Sequence, residues 1–159
     1  METESLFDDR LTDRFLHRST VVVRRQLLYQ KGLFDESFST HGDYDLWLRL
    51  ALAAEAGCVP EPLVFVRRHA FAYSRQLDIL HCGNAILILE RLRRTYSLNP
   101  RQWLISRAAI SRLHTYVGLS RLEVNQVDQA RRHFVRSLCW NPLQRRARVA
   151  LKRRCSAEA

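Results

Sequence analysis

Apolar residues along this chain recur either at helical spacing or in short β-branched runs, and the two kinds of segment are unevenly placed. Leu6, Phe7, Leu11, Phe15 and Leu16 fall mostly on one helical face and predict a short amphipathic helix over residues 3–16. The run Ser19, Thr20, Val21, Val22, Val23 predicts a buried strand, and residues 25–31 a single helical segment closed by Gly32. Residues 33–42 have mixed polarity and no period, which predicts a loop anchored by Phe34 and Phe38. From Asp43 the pattern predicts a helix with acids in its first turn and Gly57 at its end. Pro60 and Pro62 then mark a turn into a second strand, Leu63, Val64, Phe65 and Val66, with Phe65 in the core. Beyond His69 the spacing is helical throughout, over residues 75–95, 101–121, 125–139 and 142–154, with breaks at Asn99-Pro100, Val124-Asn125 and Asn141-Pro142. The expected layout is an α/β piece over residues 1–72 followed by an all-α helical tail over 73–159, mostly helical overall.

Composition adds a compartment and a class of partner to this layout. With 47% apolar residues among 159, the chain can bury a real core. Its net charge of +10 comes almost wholly from arginine, since Lys31 and Lys152 are the only lysines. Residues 1–61 carry 7 basic and 11 acidic side chains, whereas residues 62–159 carry 19 and 5. So basic a second half implies an acidic partner: a phosphate-bearing substrate, an anionic membrane surface or nucleic acid. Cys58, Cys82, Cys139 and Cys155 are too scattered for a disulfide framework and fit a reducing compartment. The opening METESLFDDR is acidic where a secretory signal needs positive charge, and residues 77–89 are too short and too interrupted to span a membrane. A cytoplasmic protein is expected, with any membrane association peripheral and made through arginines.

Three stretches in order carry a family resemblance: Gly32-Leu33-Phe34-Asp35-Glu36-Ser37-Phe38, then Gly42-Asp43-Tyr44-Asp45-Leu46-Trp47-Leu48-Arg49-Leu50, then Pro60-Glu61-Pro62-Leu63-Val64-Phe65-Val66-Arg67-Arg68-His69. Together they resemble the C-terminal half of the catalytic domain of family 2 glycosyltransferases of the GT-A fold. The resemblance implies that Asp43 is the general base that takes a proton from the acceptor hydroxyl, although Gly42 stands where the family has Glu. It also implies a substrate-binding set of Trp47, Arg67 and His69, with Arg67 facing a donor phosphate; from the residues alone, Trp47 is better read as core, and Arg67 and His69 equally fit a basic strand end reaching solvent. Without the resemblance, Asp43 and Asp45 read as capping acids and Arg49 as a salt-bridging helix residue. Asp43-Tyr44-Asp45 spells D-x-D, but it follows a polar loop and is not read as a metal site.

The half of such an enzyme that binds the nucleotide is missing, and no Gly-rich phosphate loop is present. The implied protein is a truncated or split transferase, moving sugar from a nucleotide-sugar to a glycan or lipid-linked acceptor, and inactive alone. It would hold no cofactor of its own: the divalent cation (Mg²⁺ or Mn²⁺) and the nucleotide-sugar belong to a complete enzyme. The missing N-terminal half or a partner protein would complete it, and the unpaired sheet edges would favour self-association.

In the tail, His114 to Pro142 is similar to one tetratricopeptide unit at about 111–144, through Gly118, Ala130, Phe134 and Pro142. Physically, Gly118 and Ala130 let two helices approach, Phe134 fills the gap and Pro142 stops the second helix. The last two helices are densely basic, which suits a solvated face first and anionic lipid second; nucleic acid is disfavoured because charge comes with no recognition motif. The alternative to a transferase relic is a non-catalytic helical protein-interaction module.

Overall fold

A computed structural model describes residues 16–59, 61–65, 67 and 79–154. The chain divides into two compact units, Met1–Leu77 and Asp78–Ala159. The helix expected at residues 3–16 lies outside the described residues except for its last position, as does the expected boundary near residue 72. Every regular element among the described residues is helical: a 3-10 turn Arg18–Thr20, then α1 Arg25–Lys31, α2 Gly42–Ala51, α3 Ile79–Thr95, α4 Pro100–Glu123, α5 Val127–Trp140 and α6 Arg145–Arg154.

The described fold is therefore all-α, and the expected α/β piece is corrected. Residues 19–23 begin in the 3-10 turn and continue as unpaired extended chain, with Val21 at φ −104°, ψ 127° and Val22 99% exposed. The described part of the second expected strand is equally unpaired, and Phe65, expected in the core, is fully exposed. β-branched sequence favours extended backbone, but a strand exists only where a neighbour takes its N–H and C=O groups. No neighbouring strand is present among the described residues, so a GT-A half-domain, which is built on a sheet, is not what these residues form.

In the first unit, α1 and α2 pack through Leu46, Trp47 and Leu50 against Val21, Val23, Leu27 and Leu28. Arg49 ties the two helices together. Its Nε donates to Asp45 Oδ2 at 2.8 Å, and its remaining nitrogens donate to the carbonyls of Lys31 (2.5 Å), Gly32 (3.1 Å) and Leu33 (2.7 Å). These are the carbonyls left open where α1 ends, so a side chain supplies what the helix itself cannot. Helix α2 stops at Ala51, short of Gly57, because beyond Leu50 its residues are no longer buried and a short helix depends on a packed face.

In the second unit the four helices lie close to their expected ranges. Asn99 and Gln102 form a reciprocal capping box at the start of α4, with N–H to side-chain oxygen distances of 2.8 and 3.0 Å, and Pro100 occupies the first helical position. Helix α3 packs on α4, α4 on α5, and α6 on both α4 and α5. Cys82, Ala85, Ile86, Leu89 and Leu92 give α3 a buried face at helical spacing, meeting a core that includes Ala109, Ile110 and Val117 of α4.

The α4–α5 contact is made of small residues. Phe134 and Ala130 are fully buried, and a Cβ placed on Gly118 would stand 2.6 Å from Phe134 Cε1. Beside them, Ser111 Oγ donates to the Ser137 carbonyl (2.9 Å), Ser137 Oγ to the Ser111 carbonyl (2.8 Å), and Thr115 Oγ1 lies 2.8 Å from Ser137 Oγ. All three hydroxyls are buried and each proton has an acceptor, so the polar patch locks the helix pair without leaving an unpaired group.

Two stability predictions follow from these contacts. Gly→Ala inside a helix ordinarily stabilises by about 1 kcal/mol, but Gly118→Ala must push the Phe134 ring out of place and will destabilise the protein by about 1–3 kcal/mol in urea unfolding. Arg49→Ala strands the buried Asp45 carboxylate and uncaps α1. It will cost about 3 kcal/mol in the first unit, read as faster amide hydrogen exchange across α1 and α2.

Candidate functional site

Of the residues expected to act on a sugar substrate, Asp43 and Trp47 lie on α2. Asp43 sits in the first turn, its Oδ1 accepting from the Tyr44 N–H at 2.9 Å and its Oδ2 3.5 Å from Arg18 Nε. Trp47 is buried against Val21, Val23, Leu27 and Leu28 rather than facing a cleft, and its indole Nε1 is buried without a hydrogen-bond partner. Asp45 does not cap the helix but pairs with Arg49 inside it. Arg67 is exposed, and His69 lies outside the described residues. The helix begins instead at His41, which takes a left-handed conformation (φ 65°) with its ring edge-on to Tyr44 at 6.0 Å. A shallow cavity of about 220 Å³ beside α1 is lined by Arg24, Gln26, Leu27, Gln30 and Ala54, and by none of the expected site residues. Among the described residues no group of three or more His, Cys, Asp or Glu is placed to hold a metal ion.

The second unit concentrates its chemistry in three places, of which the sequence points to only the third, the densely basic last two helices. The first is a histidine pair across α4 and α5. His114 Nδ1 and His133 Nδ1 are 3.1 Å apart, so one neutral ring donates the single proton between them and the other accepts it. Burial, then His133, then Arg136 push His114 down to about 4, and burial, then Arg136 and Arg121, lower His133 as well. Both rings are held neutral, because a second proton would set two N–H groups face to face beside two guanidinium groups.

The second place is an arginine and tryptophan cluster where α3 and α4 meet the end of α5. The Arg93 guanidinium lies 4.9 Å from the Trp103 ring and 5.1 Å from the Trp140 ring, and that of Arg107 lies 4.7 Å from Trp103. Arg93 Nη1 donates to the Trp103 carbonyl (2.9 Å) and to Ser106 Oγ (2.5 Å). Arg107 donates through Nε to the Trp140 carbonyl (2.9 Å) and through Nη2 to that of Cys139 (3.3 Å), at the negative end of the α5 dipole. Burial, then Arg107, lower the pKa of Arg93. Part of this cluster was legible, since Trp103 and Arg107 are four residues apart on one helix; Arg93 and Trp140 join only through tertiary packing.

The third place is the outer face of α5 and α6. On α5 the residues at 131, 132, 135, 136 and 139 are exposed, and on α6 those at 145, 146, 148, 149 and 152. These include Arg131, Arg132, Arg136, Arg145, Arg146, Arg148 and Lys152, while Asp128 is the one acid in either helix.

No family model, no curated protein and no solved structure matches this chain. With no strand among the described residues, this leaves the glycosyltransferase resemblance without support, and the chain is not identified as a truncated family 2 transferase. The tetratricopeptide resemblance reduces to a physical statement, a close-packed helix pair at Gly118 and Phe134. No described helix is long and apolar enough to cross a membrane.

The histidine pair makes the fold acid-sensitive. A base with a lowered folded pKa leaves the unfolded chain holding more protons, so its stabilisation is complete above the ordinary histidine value of 6.5 and is lost as pH falls toward about 4. The expected loss is about 2–3 kcal/mol. His114→Gln with His133→Gln will flatten this part of the thermal-midpoint profile between pH 7 and pH 4 relative to the unaltered chain.

Proposed function

We propose that the Asp78–Ala159 unit is a non-catalytic interaction module whose outer face on α5 and α6 docks an acidic polypeptide segment. The carrying observation is the charge on that face: among the described side chains, seven exposed cations and a single acid. Guanidinium forks match carboxylates in paired hydrogen bonds, so six arginines in this set favour an Asp- or Glu-rich partner. Lipid is the weaker reading, because an interfacial helix must insert an apolar face. Here Val127, Ala130, Phe134, Leu138, Ala147, Ala150 and Leu151 are already used in the core. Nucleic acid is weaker again, since no exposed aromatic ring on this face offers a base a stacking surface.

The test is fluorescence anisotropy with a labelled polyglutamate peptide, run beside phosphatidylserine vesicles and a single-stranded oligonucleotide. Peptide binding that weakens with added salt, and falls about tenfold when Arg131, Arg132 and Arg136 become Gln, is the expected result. Tighter binding of vesicles or oligonucleotide, or indifference to the triple substitution, overturns the proposal.

A further inference from the structure

The arginine and tryptophan cluster has features that core packing alone does not require. Two guanidinium groups are gathered on one indole, and among the described residues neither has a carboxylate within ion-pair distance. Both arginines are partly buried, and keeping like charges together away from water is unfavourable unless something compensates them. Carbonyls do so in part. Arg93 spends one terminal nitrogen on Trp103 and Ser106, and Arg107 spends Nε and Nη2 on the end of α5. Among the described residues, that leaves Arg93 with its Nε and Nη2 uncommitted, and Arg107 with Nη1. The indole of Trp103 stays 41% exposed, so the cluster opens to solvent. Each arginine is also held by stacking and by backbone acceptors, contacts that reduce the freedom to be lost when a ligand arrives.

We infer that Arg93, Arg107 and Trp103 form an anchor for one carboxylate of the acidic segment, which bridges the uncommitted nitrogens of the two arginines while its aliphatic stem lies on the indole. The inference rests on the reading of this unit as a docking module and names its recognition point. Arg107 is bonded to the Cys139 and Trp140 carbonyls, so the anchor stands at the C-terminal end of α5, the helix whose outer face carries Arg131, Arg132 and Arg136. A segment lying along that face would reach the anchor at its end. Burial, and after it the neighbouring Arg107, lower the pKa of Arg93, in keeping with two like charges gathered partly away from water.

The experiment uses the full chain carrying Trp47→Phe, so that tryptophan emission comes from Trp103 and Trp140 alone. Titration with polyglutamate peptide is expected to change this emission saturably. Arg107→Lys and Arg93→Lys, which keep the charge and lose the fork, should each weaken binding at least about fivefold. Should Trp47→Phe harm the first unit, Trp103→Phe in the otherwise unaltered chain serves instead, and is expected to abolish most of the emission change. The triple substitution of Arg131, Arg132 and Arg136 to Gln should lower affinity while preserving the full emission change at saturating peptide. Peptide binding that responds to the triple substitution but not to either lysine variant overturns the anchor and leaves the docking reading standing. Absence of any peptide binding overturns both. An emission change produced by inorganic phosphate and not by the peptide overturns the choice of a carboxylate.

Discussion

The close approach of α4 and α5 is the constraint from which the second unit takes its form. Where Gly118 faces Phe134 there is no room for a methyl group, and the Ser111, Thr115 and Ser137 hydroxyls bond across the same seam. A seam so short of side-chain bulk fixes both the separation and the register of the two helices. The positions of everything else then follow. His133 meets His114, and the last carbonyls of α5 come within reach of Arg107. The face of α5 turned from the seam is left to solvent, and that is where its arginines stand.

The two units solve the problem of positive charge in different ways. In the first, Arg49 is neutralised by Asp45 and by three carbonyls of an ending helix, so its charge is consumed in construction. In the second, Arg93 and Arg107 are steadied by rings and carbonyls but meet no acid among the described residues, and the sequence of α5 and α6 holds one acid, Asp128, among its arginines. Charge that construction does not need is charge available to a partner.

Helices were legible in the sequence, whereas the absence of a sheet among the described residues was not, for a local reason. The Asn99-Pro100 signal placed the start of α4 because the capping box is made by residues three apart, and Gly118 with Phe134 could be paired because their spacing matches that of a tetratricopeptide unit. In the Ser19–Val23 run, expected as a buried strand, Val21 is extended, but Ser19 and Thr20 lie in a 3-10 turn and Val22 is exposed. What the run could not convey is whether another strand lies beside it, and pairing is a tertiary fact. The same limit governed the sites. Asp43 was singled out by a pattern of neighbours along the chain, and that pattern did not foretell the Tyr44 N–H and the Arg18 guanidinium that its carboxylate meets in the fold. The histidine pair spans 19 positions and Arg93 to Trp103 spans 10, and no periodicity links such residues before the helices dock.

The basic face of α5 and α6 is built from arginine with Lys152 as its one lysine, and this decides how the charge can be governed. A lysine surface can be silenced one residue at a time by acetyl transfer, and a histidine surface by mild alkalinity. Guanidinium groups allow neither, since they stay protonated at any physiological pH and methylation leaves their charge in place. Control over what this face attracts must therefore be exercised from outside it, by how much acidic partner is present or by modification of that partner.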